Sequence, residues 1–256
     1  MPNEHQDRLV SISMGELRFI LRGCLDLMFP RDCMLTGEPV EAESTYLYFN
    51  RISSNELGIV QPPYCHVCGF PFFGDFSIRQ KCPHCVELSP RFGLGRTCMV
   101  MSGVGRAIIH EFKYHAGSHL LHDIACIAEA TPGYLEFLNN AILIPVPLHP
   151  RKMRERGYNQ SVLFARLLVG LAEGAVMEQA LQRVRDTESQ THLKHAARQK
   201  NMVGAFAVVA GFTPQPDRRY VVVDDVFTTG ATLNACCLAL IRAGVAKVDI
   251  ATLGHG

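Results

Sequence analysis

The sequence predicts an α/β protein, a parallel sheet flanked by helices with a four-cysteine appendage on its N-terminal side. Three observations predict it. The run Tyr220-Val-Val-Val-Asp-Asp-Val-Phe-Thr-Thr-Gly-Ala-Thr232 opens with consecutive β-branched residues, the mark of a strand covered on both faces. After Arg96, helical and strand patterns alternate as in βαβ units. Before it, Cys65-x-x-Cys68 and Cys82-x-x-Cys85 stand with thirteen residues between them. The chain divides on this basis into residues 1–60, an amphipathic helix and an irregular segment; 61–95, the cysteine ribbon; and 96–256, the sheet-bearing domain.

Taken in order, Leu17, Ile20, Leu21, Cys24, Leu25 and Met28 recur at helical spacing and predict an amphipathic helix packed on the body. Arg18, Arg22 and Asp26 interrupt the apolar stretch from Leu9 to Phe29, and it lacks a small-residue cleavage site, so neither a signal peptide nor a membrane span is expected. Glu38 to Ile59 carries no clear pattern. Val104 to Tyr114 and Leu120 to Ala130 read as helices, Ala141 to Val146 as a short buried strand running into Pro145-Val-Pro147. Asn159 to Leu171 is helical, with Val162, Ala165 and Val169 spaced to share a face. Ala205 to Val209 and Tyr220 to Val223 are strands, Thr229 to Ala243 a helix and Val245 to Leu253 the last strand. The sequence stops three residues later, so no further domain is expected, and no internal repeat stands out. With 256 residues, 48% hydrophobic and 19% charged, the chain can bury a core and fits a soluble cytoplasmic protein. Its net charge of +1 advertises neither nucleic acid nor membrane.

The chemistry sits in a few segments. Four thiolates at the spacing of Cys65, Cys68, Cys82 and Cys85 suit tetrahedral zinc, in a closed site that would stabilise the fold and not react; disulfides or free thiols are the alternatives. Cys33 stands alone, with Leu35 and Thr36 where a partner would be, and Cys24, Cys98, Cys126, Cys236 and Cys237 are expected in the core. Asp224 and Asp225 emerge at the carboxyl end of their strand, where ligands bind in open α/β sheets. Thr228-Thr229-Gly230-Ala231-Thr232 then offers backbone amides and three hydroxyls to one phosphate, with Gly230 permitting close approach and the next helix adding its positive end. Two acids that can bond vicinal ribose hydroxyls, followed by such a cradle, suit a sugar phosphate; a strand that merely ends in a polar turn is the bland alternative. In Ile144 to Gln160, Arg151, Lys152, Arg154 and Arg156 crowd a loop suited to pyrophosphate, or an ordinary solvated one, before Gly157 turns the chain into a helix. Lys113 is a further candidate for the same anion, or a helix-end lysine satisfying carbonyls. Arg183 to Phe206 is polar, either a hood that closes on substrate through Gln190, Leu193, Arg198 and Asn201 or a surface connector. His110-Glu111-x-x-x-His115 has one residue too many for a zinc-protease helix; His115, His119 and His122 are expected on the surface or in a loop.

The string VVVDDVFTTGAT resembles the phosphoribosyl pyrophosphate (PRPP) motif of type I phosphoribosyltransferases. Joined to FP-x-x-C at Phe29 to Cys33, the cysteine knuckles, Lys113-Tyr114-x-x-Gly117, PVP followed by RGYNQ, T-x-x-Q-x-x-L at Thr187 to Leu193, and R-x-x-N with GAF at Arg198 to Phe206, it resembles the ComF/GntX family of competence-related, phosphoribosyltransferase-like proteins from about Leu17 onward. The resemblance implies a type I phosphoribosyltransferase-like fold with a zinc ribbon, and PRPP held by Asp224, Asp225 and Thr228 to Thr232. It further implies Arg151, Arg154, Arg156 and Lys113 with Mg2+ at the diphosphate, and a role in handling incoming single-stranded DNA beside a helicase-like partner. The chain departs from the family where an early Cys-x-x-Cys is common, since Cys33 has no partner at Thr36. It departs from purine-salvage relatives at Thr228, where they carry an Asp, and no general base is obvious. Three readings stay open: a PRPP-dependent transferase with an unnamed acceptor, a PRPP-binding competence factor without turnover, and a zinc-ribbon nucleic-acid module, although Tyr158 is the only aromatic near the two basic patches.

Overall fold

The computed structural model describes residues 30–72, 82–86, 88–114, 117–185, 202 and 204–256. The expected N-terminal helix, Cys24, His115, and Gln190, Leu193, Arg198 and Asn201 of the expected hood lie outside the described residues. Five parallel strands form one sheet: β1 (Gly95–Val100), β2 (Ala141–Pro145), β3 (Val176–Met177), β6 (Arg219–Phe227) and β7 (Val248–His255), in the order β1-β7-β6-β2-β3. Two short strands, β4 (Leu181–Arg183) and β5 (Phe206–Val208), pair antiparallel beside it. The helices are α1 (Arg51–Asn55), α2 (Pro83–Val86), α3 (Gly103–Tyr114), α4 (Leu121–Ala130), α5 (Tyr134–Leu138), α6 (Pro150–Arg156), α7 (Gln160–Leu171) and α8 (Ala231–Arg242), with a 3-10 turn at Gly117–Leu120.

Strand alternation sorts the core into two layers. Leu143, Val221, Val223, Ala251 and Leu253 pack with Ile108 and Phe112 of α3, Ile124 and Ile127 of α4, and Phe164 and Leu168 of α7. Ile142, Ile144, Tyr220, Val222 and Ile250 pack on the other side with Leu233, Cys236, Cys237 and Leu240 of α8. Both faces are therefore covered, as an all-parallel sheet requires, and each buried aliphatic side chain contributes roughly 1.5–3 kcal/mol. The free edge of β1 is met by an incoming segment: Ile59 bridges Met99, Val60 N donates to Cys98 O at 2.8 Å and Val100 N to Gly58 O at 2.8 Å. Among the described residues no helix is long and apolar enough to cross a membrane.

The differences from expectation have physical causes. The basic segment expected as a loop is the helix α6: Pro150 occupies its first turn, the His149 side chain accepts from Arg151 N, and Gly157 at φ 77° ends it. Strand β6 runs past Val223 to Phe227, because β7 stays paired with it as far as His255. The strand expected at Ala205 to Val209 pairs with β4 outside the main sheet. On α7 the buried stripe is Ser161, Phe164, Ala165 and Leu168, and Val162 and Val169 are only half-buried. Cys98, Cys236 and Cys237 are buried as expected, but Cys126 is half-exposed.

Candidate functional site

The chain leaves β2 through α7 on one face to reach β3, and leaves β6 through α8 on the other face to reach β7. Neighbouring strands whose connections depart in opposite senses open a crevice at their carboxyl ends. Pairing of β2 with β6 stops at Pro145 opposite Val223, apart from Val146 N donating to Val223 O at 2.9 Å. Asp224 and Asp225 follow directly, 8% and 4% exposed. Successive strand residues point apart, so the two acids meet different partners. Asp224 Oδ1 accepts from Ser161 Oγ at 2.8 Å and from Asp225 N at 3.0 Å. Asp225 Oδ2 lies 3.1 Å from Lys113 Nζ at the end of α3. In this ion pair the side chains of Lys113 and Asp225 are 24% and 5% exposed. Burial, then the neighbouring Asp225 charge, push Asp224 up to about 7, against the opposing effects of the Ser161 hydroxyl and Lys113.

The Arg156-Gly-Tyr-Asn-Gln-Ser161 segment ties this crevice together. Arg156 donates to Gln160 Oε1 at 2.9 Å and lies over the Tyr114 ring at 5.0 Å. Tyr158 OH donates to Phe112 O at 2.6 Å and accepts from Gly117 N at 3.3 Å, holding the last turn of α3 and with it Lys113. Asn159 donates through Nδ2 to Val146 O at 3.0 Å, just past β2, and caps α7 by accepting from Ser161 N at 2.9 Å. Ser161, which sequence reading did not single out, completes the segment at Asp224. The available signal was a hydroxyl in the first turn of the helix that follows the strand beside β6. Arg151 and Arg154 are exposed on α6, and Arg151 Nε sits 3.6 Å from Glu155 Oε1.

The phosphate-cradle residues form the β6 to α8 turn. Thr228 is exposed, Thr229 buried and Thr232 half-buried, and Thr229 Oγ1 accepts from Ala231 N at 3.4 Å. Gly230 caps α8 at φ 68°, and a Cβ there would stand 2.5 Å from Leu88 Cδ2 and 2.6 Å from Phe227 Cζ. Only glycine meets both conditions. The first-turn amides of α8 have no partner within the helix, which makes the turn receptive to an anion.

Cys65, Cys68, Cys82 and Cys85 converge, with all four Sγ atoms within 4.8 Å of one another, Cys65 to Cys85 at 3.9 Å and Cys68 to Cys82 at 3.6 Å. None of the four is in a disulfide. The edge of a tetrahedron of sulfurs around zinc, with bonds of about 2.3 Å, is about 3.8 Å, so donor type, number and spacing fit a closed structural zinc site. The unit is joined to the β6 to α8 turn: Leu88 lies against Gly230, Arg91 N donates to Asn234 Oδ1 of α8 at 2.6 Å, and Phe92 meets the Phe227 ring edge-on at 6.4 Å. His84 of α2 packs at 4.9 Å on His255, which stacks on Phe227 at 4.4 Å. Burial, aided by His84, lowers His255 to about 3 and keeps that ring neutral.

The structure thus brings Asp224, Asp225 and Lys113 together and sets the Thr228 to Thr232 turn beyond them on the same strand, with α6 carrying Arg151, Arg154 and Arg156 after the adjacent strand. The exposed positions of His119 and His122 agree with their expected surface role. No protein-family model matches the sequence. The chain is 28% identical over 199 residues to Competence protein F of Haemophilus influenzae, covering 73% of this chain and 82% of that protein. It is 36% identical over 108 residues to DNA utilization protein YhgH of Salmonella typhi, covering 42% of this chain and 46% of that protein. Against DNA utilization protein YhgH of Escherichia coli K12 it is 28% identical over 193 residues, covering 73% of this chain and 81% of that protein. Over 73% of its length, the chain is therefore similar to proteins named for competence and for DNA utilization.

Proposed function

We propose that this chain is a ComF-type protein whose crevice binds PRPP and whose cysteine unit holds a structural zinc. The observation that carries the proposal is the adjacent buried carboxyl pair Asp224 and Asp225 at the carboxyl end of β6, one short step before a glycine-cornered threonine turn. Ligands bind at that end of the strands in open α/β sheets. Vicinal ribose hydroxyls would donate to Asp224 and Asp225. The amides and hydroxyls of Thr228, Thr229, Gly230, Ala231 and Thr232 would hold the 5-phosphate. Arg151, Arg154 and Arg156 would meet the diphosphate, and Lys113 would keep the acids' charge balanced. Mg2+, arriving with the substrate and held mainly by its oxygens and by water, would neutralise the departing diphosphate.

In the transferase form of this proposal, the bond from the anomeric carbon to pyrophosphate breaks as a bond to an acceptor nucleophile forms. The acceptor's proton passes to solvent, and the acids stabilise the cationic sugar between the two events. Thr228, exposed where purine-salvage relatives place an acid, leaves the acceptor unidentified and favours the binding half of the proposal over the transfer half. The names of the relatives support a role in competence or DNA utilization. A cytoplasmic location, with single-stranded DNA and a helicase-like protein as partners, is a further part of the proposal, in which exposed Arg151 and Arg154 supply the charge for DNA. Division into 1–60, 61–95 and 96–256 is part of the same proposal.

Calorimetric titration with PRPP and magnesium, repeated on Asp224→Asn and Asp225→Asn, tests the binding. Each variant is expected to lose at least tenfold in affinity, and unchanged affinity in both would remove the ribose contact. Pyrophosphate release on adding acceptors separates transferase from binder. Salt-dependent DNA affinity that PRPP abolishes would place DNA on the same basic helix; affinity indifferent to PRPP would place it elsewhere.

A further inference from the structure

The four-cysteine unit has a structural double earlier in the chain. Cys33, Thr36, Asn50 and Ser53 precede Cys65, Cys68, Cys82 and Cys85 by 32 positions each. The backbone hydrogen bonds repeat with the same offset. Cys33 N donates to Glu38 O at 2.7 Å and Cys65 N to Phe70 O at 2.8 Å; Gly37 N donates to Cys33 O and Gly69 N to Cys65 O, both at 2.8 Å. Val40 N to Arg31 O at 2.7 Å matches Phe72 N to Pro63 O at 2.9 Å, and Glu56 N to Ser53 O matches Leu88 N to Cys85 O, both at 3.2 Å. The bridge between Asp32 and Pro39 matches that between Tyr64 and Pro71. Gly37 and Gly69 turn at φ 68° and 78°, and α1 and α2 begin at equivalent positions, Arg51 and Pro83. Sequence inspection finds no repeat, because between 31–56 and 63–88 only Cys33, Gly37 and Pro39 are matched by identical residues.

The side chains at the ligand positions also pair in the same way. Cys33 Sγ lies 3.3 Å from Ser53 Oγ where Cys65 faces Cys85, and Asn50 Nδ2 donates to Thr36 Oγ1 at 3.2 Å where Cys68 faces Cys82. Asn50 Oδ1 additionally caps α1 by accepting from Ser53 N at 3.0 Å. The two copies sit on opposite layers: Phe49 and Leu57 join the α3, α4 and α7 side, and Cys65, Cys68 and Cys82 join the α8 side.

We propose that residues 31–56 are a metal-free copy of the four-cysteine unit, in which the Cys33–Ser53 and Asn50–Thr36 pairs close the fold where an ion would, and which retains a tetrahedral site that three cysteines would restore. The inference rests on the zinc reading of the second copy. The segment after the first copy meets β1 through Gly58 and Val60, and in the second copy His66 O accepts from Gly95 N at 2.9 Å, so only the second contact depends on metal supply.

Metal content of the purified full chain is expected to be one zinc per chain. Two would overturn the inference, and none would overturn the zinc reading on which it rests. The variant Thr36→Cys/Asn50→Cys/Ser53→Cys is expected to hold two, with twice the thiolate-to-metal absorption after cobalt exchange; a folded variant that still holds one would overturn the inference. Should that variant not fold, hydrogen exchange of the wild-type chain with and without a strong chelator decides. The amides of Cys65, Gly69 and Phe72 should lose protection at least tenfold while those of Cys33, Gly37 and Val40 keep it, and equal loss in both copies would overturn the inference.

Discussion

Asp224→Asn should stabilise the ligand-free chain at pH 8 even as it removes ligand affinity. Asp224 is held near 7 in the folded chain, against an ordinary value of about 3.9 when unfolded. The folded chain therefore keeps a proton that the unfolded chain has released, so stability falls as pH climbs from about 4 to about 7 and levels off above that. At about 1.4 kcal/mol per pH unit the full window is on the order of 4 kcal/mol, and the expected gain is about 2–4 kcal/mol. Asparagine removes the buried charge and keeps Oδ1 to accept from Ser161 Oγ and Asp225 N, the two donors present now. For a chain of this size the gain is a rise in melting temperature of roughly 5–10 °C at pH 8, falling to about a quarter of that at pH 4.5. Thermal unfolding of both chains across that range is the assay, and other titrating groups, among them the buried Asp123, cancel in the difference. A difference that is flat with pH, or a variant less stable than wild type at pH 8, would refute the reasoning.

Three further outcomes are expected. Ser161→Ala removes the donor that lowers Asp224, so the carboxyl midpoint followed by carbon-detected NMR should move above its present value of about 7; a midpoint that stays or drops contradicts the assignment. Gly230→Ala forces a side chain into left-handed backbone and against Leu88 and Phe227, at an expected cost of about 2–4 kcal/mol in urea unfolding, and a loss under 0.5 kcal/mol would show that the turn has room. Tyr158→Phe leaves the Phe112 carbonyl without its hydroxyl donor and should cost about 1 kcal/mol, with hydrogen exchange quickening at the end of α3 and not in β7.

Strands β2, β6 and β7 and helices α3, α4, α7 and α8 were legible because their signals are local: unbroken apolar runs or a repeating apolar face. Strand β1 was not, since Gly95-Arg-Thr-Cys-Met-Val100 mixes polar and apolar residues without alternation, and four of its six positions are buried. Helix α6 has no buried residue and so no apolar face to read; its only signal was Pro150 at the first turn and Gly157 after the last. At the site, the acids and the Gly230 turn are contiguous and visible. Ser161 lies 63 residues before Asp224, and nothing in its neighbourhood announces that partner. Lys113 was expected either to face an anion or to satisfy carbonyls at its helix end, and it lies 3.1 Å from Asp225 Oδ2. The copy at residues 31–56 escaped notice because hydrogen-bonding pairs preserve a backbone without preserving residue types.

The seam joining Leu88, Arg91 and Phe92 to the turn at Gly230 ties the four-cysteine unit to the floor of the crevice. If the proposed zinc and PRPP sites are coupled through it, they obey reciprocity: whatever ligand occupancy gains from the ion, ion retention gains from the ligand. On that proposal zinc shortage would slacken the crevice before the sheet itself yields, and a bound ligand would slow the ion's escape to a chelator.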